Sequence, residues 1–268
     1  MSKKLLSVTL AILALASCAT SPLGRKQLIT VSDDQMNGMG VQAFDEMKRT
    51  KAIETDPRKL AYVKCIAQNI VQDAKDKVDP ADWEVIVFRD KAVNAFALPG
   101  AKIGVYTGII PVASNQHQLA AVMGHEVGHV LARHGSERVS EAGAANLVMT
   151  GLNAAKGSNK SSQLLNVLGV TAGAGLQVGL LAFSRTHESE ADIMGLYSMA
   201  RVGFDPRESV TLWKNMAKAS GSKGIVEFLS THPSNETRIQ QLEEHMPEAM
   251  KLFDAARSSS KNPACDTI

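Results

Sequence analysis

Apolar residues recur every three or four positions along most of this chain, and that spacing places them on one face of an α-helix. The pattern predicts a first helix over residues 32–51 and a second from Asp56 to about Lys77, each opened by a polar capping residue. Almost every segment after Ser114 has the same spacing. We therefore expect a mainly helical body.

Three short segments depart from this helical pattern. They alternate between apolar and polar residues or are rich in β-branched residues, as strands are, and they cover residues 83–88, 93–98 and 102–106. A small sheet beside a helical body predicts an α+β fold. Because the chain is 44% hydrophobic and long enough to bury one sizeable core, we expect one domain over residues 32–252 and a polar tail over residues 253–268.

The helix that follows the polar cap at Ser114-Asn115 carries the motif His125-Glu126-Val127-Gly128-His129. Two histidines four residues apart lie on one face of a helix, and that separation lets both imidazoles bind a single zinc ion. Glu126 lies beside them, where it can take a proton from a water molecule on the metal. The alternative interpretation is a pair of surface histidines with an unrelated glutamate.

A catalytic zinc site needs a third protein ligand. A histidine six residues after His129 would be one option, but that position is Gly135, which we interpret as the helix stop. A glutamate on a later helix is the other option. Glu188 and Asp192 are four residues apart, so Glu188 can bind the metal while Asp192 hydrogen-bonds a ligand histidine. Without the histidine motif, this pair would indicate only a solvated acidic helix face.

The other histidines lack ligand spacing. His134 is nine residues after His125, roughly half a turn out of phase, so we interpret it as a helix-end histidine that points elsewhere. His117, His187 and His245 are interpreted as surface or locally hydrogen-bonded residues.

Together these motifs resemble the HtpX, BepA and LoiP group of gluzincin zinc metallopeptidases, which includes the Oma-type and CAAX prenyl endopeptidases. The resemblance covers roughly residues 31–246 and implies a zincin-like metallopeptidase domain. It implies that His125, His129 and Glu188 bind one Zn²⁺ ion and that Glu126 is the catalytic base. The segments that carry it are 125–134, 188–192, Thr231-His232-Pro233-Ser234 with Arg238, and the strand pair at 94–97 and 104–108.

The resemblance also implies roles for two later residues. His232 matches a family histidine near the metal, which in some members approaches as a fourth ligand and gates access. Arg238 matches a family arginine suited to stabilising a developing oxyanion. From the residues alone, the segment around His232 is only a loop before a helix predicted over 235–245, so His232 is either on the metal or near it.

One predicted strand is a candidate for substrate binding. In the family that the chain resembles, an edge strand of the sheet receives substrate as an added strand, and main-chain hydrogen bonding provides affinity with little demand on sequence. The candidate residues are Asn94, Ala95, Phe96 and Ala97.

The N-terminal segment, residues 1–17, has the features of an export signal. Two lysines precede an apolar run over residues 5–16, and Leu15-Ala16-Ser17-Cys18 resembles a bacterial lipobox. The resemblance implies cleavage before Cys18 and lipidation of that cysteine. The alternative is an ordinary signal peptide with a coincidental cysteine.

A lipidated Cys18 would anchor the chain to a membrane. By resemblance to enterobacterial lipoproteins, Ala19 implies the outer membrane, and residues 18–31 would be a polar, lipidated tether. In an oxidising periplasm the two remaining cysteines, Cys65 and Cys265, either pair or leave Cys65 as a core residue.

Charge limits the partners. The chain has 29 Lys and Arg and 27 Asp and Glu, and the predicted signal peptide carries two of the bases and no acids, so the mature chain would be neutral. It lacks the basic excess of a nucleic-acid binder.

Two internal segments stay ambiguous. Residues 164–183 are uncharged and long enough to cross a bilayer, yet they contain polar residues and four glycines. They indicate either a buried helix or hairpin beside the site, or a stretch that dips into lipid. Residues 151–162 are rich in Gly, Asn, Lys and Ser and predict a loop.

The leading hypothesis is a lipid-anchored periplasmic zinc metalloendopeptidase that cleaves misfolded or envelope proteins at the outer membrane. A second hypothesis is a zinc-stabilised, chaperone-like factor that binds outer-membrane proteins and cleaves little. A third is a zinc enzyme that hydrolyses something other than peptides.

Overall fold

The computed structural model describes residues 18–155, 183–219, 226–232 and 236–265. The predicted signal peptide, the segment 164–182, the second half of the predicted loop at 151–162, and Pro233-Ser234 lie outside the described residues. In the described part of the chain, none of the helices is both long and apolar enough to span a bilayer.

The helices confirm the prediction of a mainly helical α+β fold. The predicted helix ends are accurate near the caps and less so elsewhere: Ser32 and Asp56 cap the first two helices as expected, whereas the second stops at Gln72. The described helices are α1 (Asp33–Thr50), α2 (Pro57–Gln72), α3 (Gln116–Leu131), α4 (His134–Ala155), α5 (Arg185–Arg201), α6 (Arg207–Ala219), α7 (Val226–Thr231) and α8 (Glu236–Ser258).

The three predicted strands form one small sheet. They are β3 (Glu84–Phe88), β4 (Ala95–Leu98) and β5 (Lys102–Tyr106), in the order β3-β5-β4. β3 pairs with β5 in parallel, and β4 pairs with β5 antiparallel through the turn at Pro99-Gly100. β4 is therefore an edge strand.

Helices α3 and α5 cross with their backbones almost in contact, and this crossing brings the two motif segments together. A Cβ atom added to Gly195 on α5 would lie 2.6 Å from the backbone nitrogen of His125 on α3. One added to Gly128 would lie 3.1 Å from the carbonyl oxygen of Ala191. Side chains at Gly195 would thus push α5, which carries Glu188, away from the histidines.

Three predictions of organisation are corrected. Residues 18–31 do not form a tether: β1 (Cys18–Thr20) and β2 (Lys26–Leu28) form an antiparallel hairpin, in which Gln27 is buried. The boundary at residue 252 falls inside α8, which continues to Ser258. The first part of the predicted loop at 151–162 is helical, because α4 continues to Ala155.

The C-terminal tail is held against the domain. Cys265 forms a disulfide with Cys65 on α2, so the pairing that the sequence left open is present. Gln116 at the start of α3 adds hydrogen bonds to the backbone of Pro263 and Cys265. The tail thereby bridges α2 and the helix that carries the histidine motif.

Candidate metal centre

Helix α3 presents both motif histidines to the interior. The side chain of Asn115 accepts hydrogen bonds from the backbone N–H groups of residues 117 and 118 and so caps the helix. His125 and His129 then lie one turn apart, 4% and 3% exposed. The predicted spacing therefore places two imidazoles side by side in the core.

Four side-chain atoms converge on one point between α3, α5 and the end of α7. His125 Nε2 lies 3.0 Å from His129 Nε2 and 3.2 Å from His232 Nδ1. Glu188 Oε1 lies 3.0 Å from His232 Nδ1 and 3.4 Å from His129 Nε2. The group His125, His129, Glu188 and His232 is buried throughout.

This group fits a zinc ion. Donor atoms at about 2.0–2.1 Å from a tetrahedral zinc lie about 3.3 Å from one another. Four of the separations between the donor atoms are 3.0–3.4 Å, and all of these atoms lie within 4.8 Å of one another. Three nitrogens and one carboxylate oxygen are also the donors that zinc prefers. The site therefore suits one zinc ion per chain.

Glu126 lies beside this group on the side that faces a cleft. Its Oε1 is 3.5 Å from His232 Nε2, and its side chain is 4% exposed. Burial raises the pKa of Glu126, although nearby His232 and His125 and the backbone N–H of Ala97 act in the opposite direction. The carboxylate is positioned between the candidate metal ligands and strand β4.

A carboxylate contacts His125 directly, as the sequence predicted. Asp192 Oδ1 lies 2.9 Å from His125 Nδ1. Arg238 donates hydrogen bonds from Nε and Nη2 to the two carboxylate oxygens of Asp192, at 2.6 and 2.7 Å. Its Nη1 lies 2.6 Å from Glu188 Oε2, and its guanidinium stacks 3.8 Å from the centre of the Trp213 ring.

These contacts differ from the role that the resemblance implied for Arg238. The guanidinium is 2% exposed, lies behind His125, and is absent from the described residues that line the cleft. Its position suits holding Asp192 and Glu188 in place more than meeting an oxyanion in the cleft.

His129 is held in a different way, which the sequence interpretation missed. His134 Nδ1 lies 2.9 Å from His129 Nδ1, and His134 Nε2 lies 3.1 Å from Glu190 Oε2. His134 is fully buried, and burial lowers its pKa to about 4. The interpretation of His134 as a helix-end residue that points elsewhere is therefore wrong.

The prediction for His134 failed because α3 ends earlier than expected. The helix stops at Leu131, and Arg133 adopts a left-handed backbone with φ of 56°, two residues before the predicted stop at Gly135. The helix is interrupted there, so helical phase no longer predicts where His134 points. A left-handed arginine gives no residue-type signal, unlike a glycine at that position.

Of the remaining histidines, His187 is not on the surface. It is 3% exposed, stacks on His134 with ring centroids 4.5 Å apart, and lies 3.1 Å from Glu137 Oε2. His117 accepts a hydrogen bond from the Asp205 backbone, and His245 contacts the Tyr197 hydroxyl, so both have local partners as predicted.

The ring of His232 is packed between two aromatic rings. It stacks on Phe228 with centroids 4.7 Å apart and on Phe183 with centroids 5.4 Å apart. The backbone N–H of His232 also donates to the Phe228 carbonyl. This packing holds the imidazole in the fourth position of the donor group.

A cleft of about 560 Å³ opens onto the donor group. Edge strand β4 forms one wall, with the candidate residues Asn94, Ala95, Phe96 and Ala97, and Glu126, His129 and His232 lie along the same cleft. Apolar side chains such as Met36 and Met47 contribute a further part of the lining.

The sequence profile of Peptidase family M48 matches residues 57–246. The chain belongs to this family. The matched range contains every donor of the buried group together with Glu126, and the metal of M48 peptidases is zinc.

Curated relatives agree with this assignment. The chain is 40% identical over 190 residues to "Mitochondrial metalloendopeptidase OMA1" of Schizosaccharomyces pombe, covering 70% of this chain and 53% of that protein. It is 29% identical over 219 residues to "Beta-barrel assembly-enhancing protease" of Escherichia coli K12, covering 78% of this chain and 43% of that protein. The chain thus spans about half the length of the curated relatives it matches.

Proposed function

We propose that this chain is a zinc metalloendopeptidase in which His125, His129 and Glu188 hold the metal and Glu126 is the general base. The observation that carries the proposal is the convergence of three buried donors from two helices, with Glu126 between them and a cleft. A bound zinc ion supplies a Lewis acid that polarises the peptide carbonyl and makes water more acidic.

The chain's own residues then perform the proton transfers. Glu126 takes a proton from the attacking water and delivers it to the leaving amine. Asp192 fixes the ring of His125, since its Oδ1 contacts Nδ1 and directs Nε2 at the donor group. Arg238 holds Asp192 and Glu188, and this holding role replaces the oxyanion role implied by resemblance.

Glu126→Gln tests this assignment. The amide keeps the size of the side chain but cannot accept the proton, so we expect zinc binding and folding to persist while casein cleavage falls by at least about 100-fold. Zinc content and melting temperature serve as the controls. Undiminished cleavage by the variant would exclude Glu126 as the base.

We further propose that substrate adds to β4 as an extra strand. β4 is an edge strand, and residues 94–97 line the cleft next to Glu126. Main-chain hydrogen bonding of this kind accepts many sequences, which suits misfolded substrates. Two series of substrate peptides test this, one methylated at the odd-numbered backbone nitrogens and the other at the even-numbered ones. We expect KM to be raised for one series and not for the other. Equal KM values for both series would contradict strand addition.

The proposed location is the periplasmic face of a bacterial outer membrane, with the lipid on Cys18 and envelope proteins as substrates. It is supported by the lipobox-like sequence and by similarity to the E. coli relative named above. Cys18→Ser should release the protein from the membrane fraction, whereas continued sedimentation with membranes would contradict lipid anchoring. This test is needed because the S. pombe relative is named as a mitochondrial protein.

A second candidate function follows from His232. Its Nδ1 occupies the fourth donor position that a catalytic zinc keeps open for water. The chain would then be a zinc-stabilised, chaperone-like binding factor with gated proteolysis. His232→Ala should increase casein cleavage if the histidine gates a protease, whereas inactivity of both forms with zinc bound would favour the binding role.

A further inference from the structure

The N-terminal hairpin (Cys18–Leu28) is connected to a metal ligand through a continuous line of polar contacts. Arg25 Nε donates to Glu190 Oε2 at 3.0 Å, and the same oxygen lies 3.1 Å from His134 Nε2. His134 Nδ1 in turn lies 2.9 Å from Nδ1 of His129. Four residues from four segments of the chain thus form one relay that ends at the candidate zinc site.

The chemistry of imidazole gives this relay a direction. His129 faces the other donors with Nε2, so its Nδ1 carries the ring proton when a metal is bound. His134 must then accept at Nδ1 and carry its own proton on Nε2, which donates to Glu190. Each group along the line has one allowed role, and Arg25 completes it by balancing the carboxylate charge.

Arg25 is fixed by a second carboxylate. Its Nη1 and Nη2 donate to the two oxygens of Glu137 at 2.6 Å each, and Gln27 donates to Glu137 and to the carbonyl of Ala132 at 2.8 Å. Glu137 belongs to α4 and Glu190 to α5. The hairpin therefore clamps the two helices that flank His129.

We propose that Arg25, Glu190 and His134 are positioning residues for His129, so that docking of the N-terminal hairpin sets the geometry of the metal site. This inference rests on the proposed function, because it concerns the same zinc ion. Arg25 lies outside the range matched by the family profile. The hairpin begins at Cys18, so the residue proposed to carry lipid is seven positions from the arginine that completes the relay.

The test is the zinc affinity of the full mature chain, measured by competition with a chromophoric chelator. His134→Ala should weaken zinc binding about 10- to 100-fold, the usual effect of removing a hydrogen-bond partner of a ligand histidine. His134→Asn, which restores an acceptor near the position of Nδ1, should recover part of the loss. Arg25→Gln should also weaken zinc binding, but by a smaller factor.

Arg201→Gln is the matched control. Arg201 lies on the same helix as Glu190 and makes a two-point ion pair with Asp73, but it is 13 residues beyond Glu188, or about 20 Å along the helix. This variant should bind zinc as tightly as the wild type. A general loss of stability would weaken zinc binding in the control as well, and that result would overturn the inference.

The outcomes separate this inference from the proposed function. A wild-type chain that binds zinc and cleaves casein, with unchanged zinc affinity in Arg25→Gln and Glu190→Gln, would overturn the relay and leave the protease intact. A wild-type chain that bound no zinc would overturn both. Because Arg25 is partly exposed, its substitution is the variant expected to fold even if His134→Ala does not.

Discussion

The two candidate ligand histidines of α3 are supported in opposite ways. A carboxylate contacts His125 directly, and the Asp192–Arg238 pair behind it is 4% and 2% exposed. His129 instead contacts a second histidine, and the charges lie further out, on Glu190 and the partly exposed Arg25. The first arrangement keeps a charge cluster in the core, whereas the second separates the charges from the metal by a neutral ring. The two sides should therefore respond differently to substitution.

Arg238→Met should have the largest effect on stability. Among the described contacts, Arg238 is the only cation that pairs with both Asp192 and Glu188. Its loss would leave two buried carboxylates to share His125 and the other donor histidines. Breaking a buried ion pair costs about 3–5 kcal/mol, so the free energy of unfolding of the metal-free chain should fall by roughly that amount.

Arg25→Gln provides the comparison, because Arg25 is itself partly exposed and its buried partners Glu137 and Glu190 keep hydrogen bonds from Gln27 and His134 in the variant. Its effect on the free energy of unfolding should be clearly smaller than that of Arg238→Met in urea denaturation. Equal losses for both variants would contradict the distinction between a charge cluster with a buried cation and one with a partly exposed cation.

Double-mutant cycles should separate the two sides in zinc affinity. Arg25→Gln and Glu190→Gln share one contact, so their effects should be non-additive by about 0.5–3 kcal/mol. Asp192→Asn and Arg25→Gln act on different ligands, and their effects should add within about 0.5 kcal/mol. Strong coupling across the two sides would mean that the donor group responds as one unit.

The histidine motif and the Glu188–Asp192 pair could be predicted because each lies within a single regular helix. Four-residue spacing fixes which side chains share a face, and both pairs meet at the crossing of α3 and α5. The other side of the site depends on the helix break at Arg133 and on a hairpin more than 100 residues away in sequence. Periodicity contains no information about either, so His134, Glu190 and Arg25 could not be assigned.

The prediction of the fold also succeeded where local sequence decides the structure and failed where tertiary contacts do. Helices and strands with strong periodicity and caps, such as α1 and β5, were predicted nearly to the residue. The hairpin at residues 18–28 was missed because its strands have three residues each and its polar side chains resemble those of a tether. Its stability comes from tertiary contacts of Arg25 and Gln27 with α4, which local sequence does not reveal.

The smallest expected effect is a pH dependence on the His129 side. Burial would raise the pKa of Glu137, but hydrogen bonds from Arg25 and Gln27 outweigh it and hold the pKa at about 2, below its ordinary value of 4.5. A lowered folded-state pKa stabilises the fold above the unfolded-state pKa, and this contribution is lost as pH falls from about 4.5 towards 2.

Glu137→Gln should therefore destabilise the chain at pH 6 and progressively less as the pH approaches 2. The measurement is the difference in free energy of unfolding between wild type and variant across that range, which cancels the contributions of other carboxylates. A difference independent of pH would contradict the assignment of this stabilisation to the ionised Glu137.

The most direct test of the central claim is the zinc content of the purified chain by native mass spectrometry. The account predicts one zinc ion in the wild type and in Glu126→Gln, and none in His125→Ala, His129→Ala or Glu188→Gln. Zinc that persisted in Glu188→Gln, or a wild type that contained none, would contradict a metal site built from these three side chains.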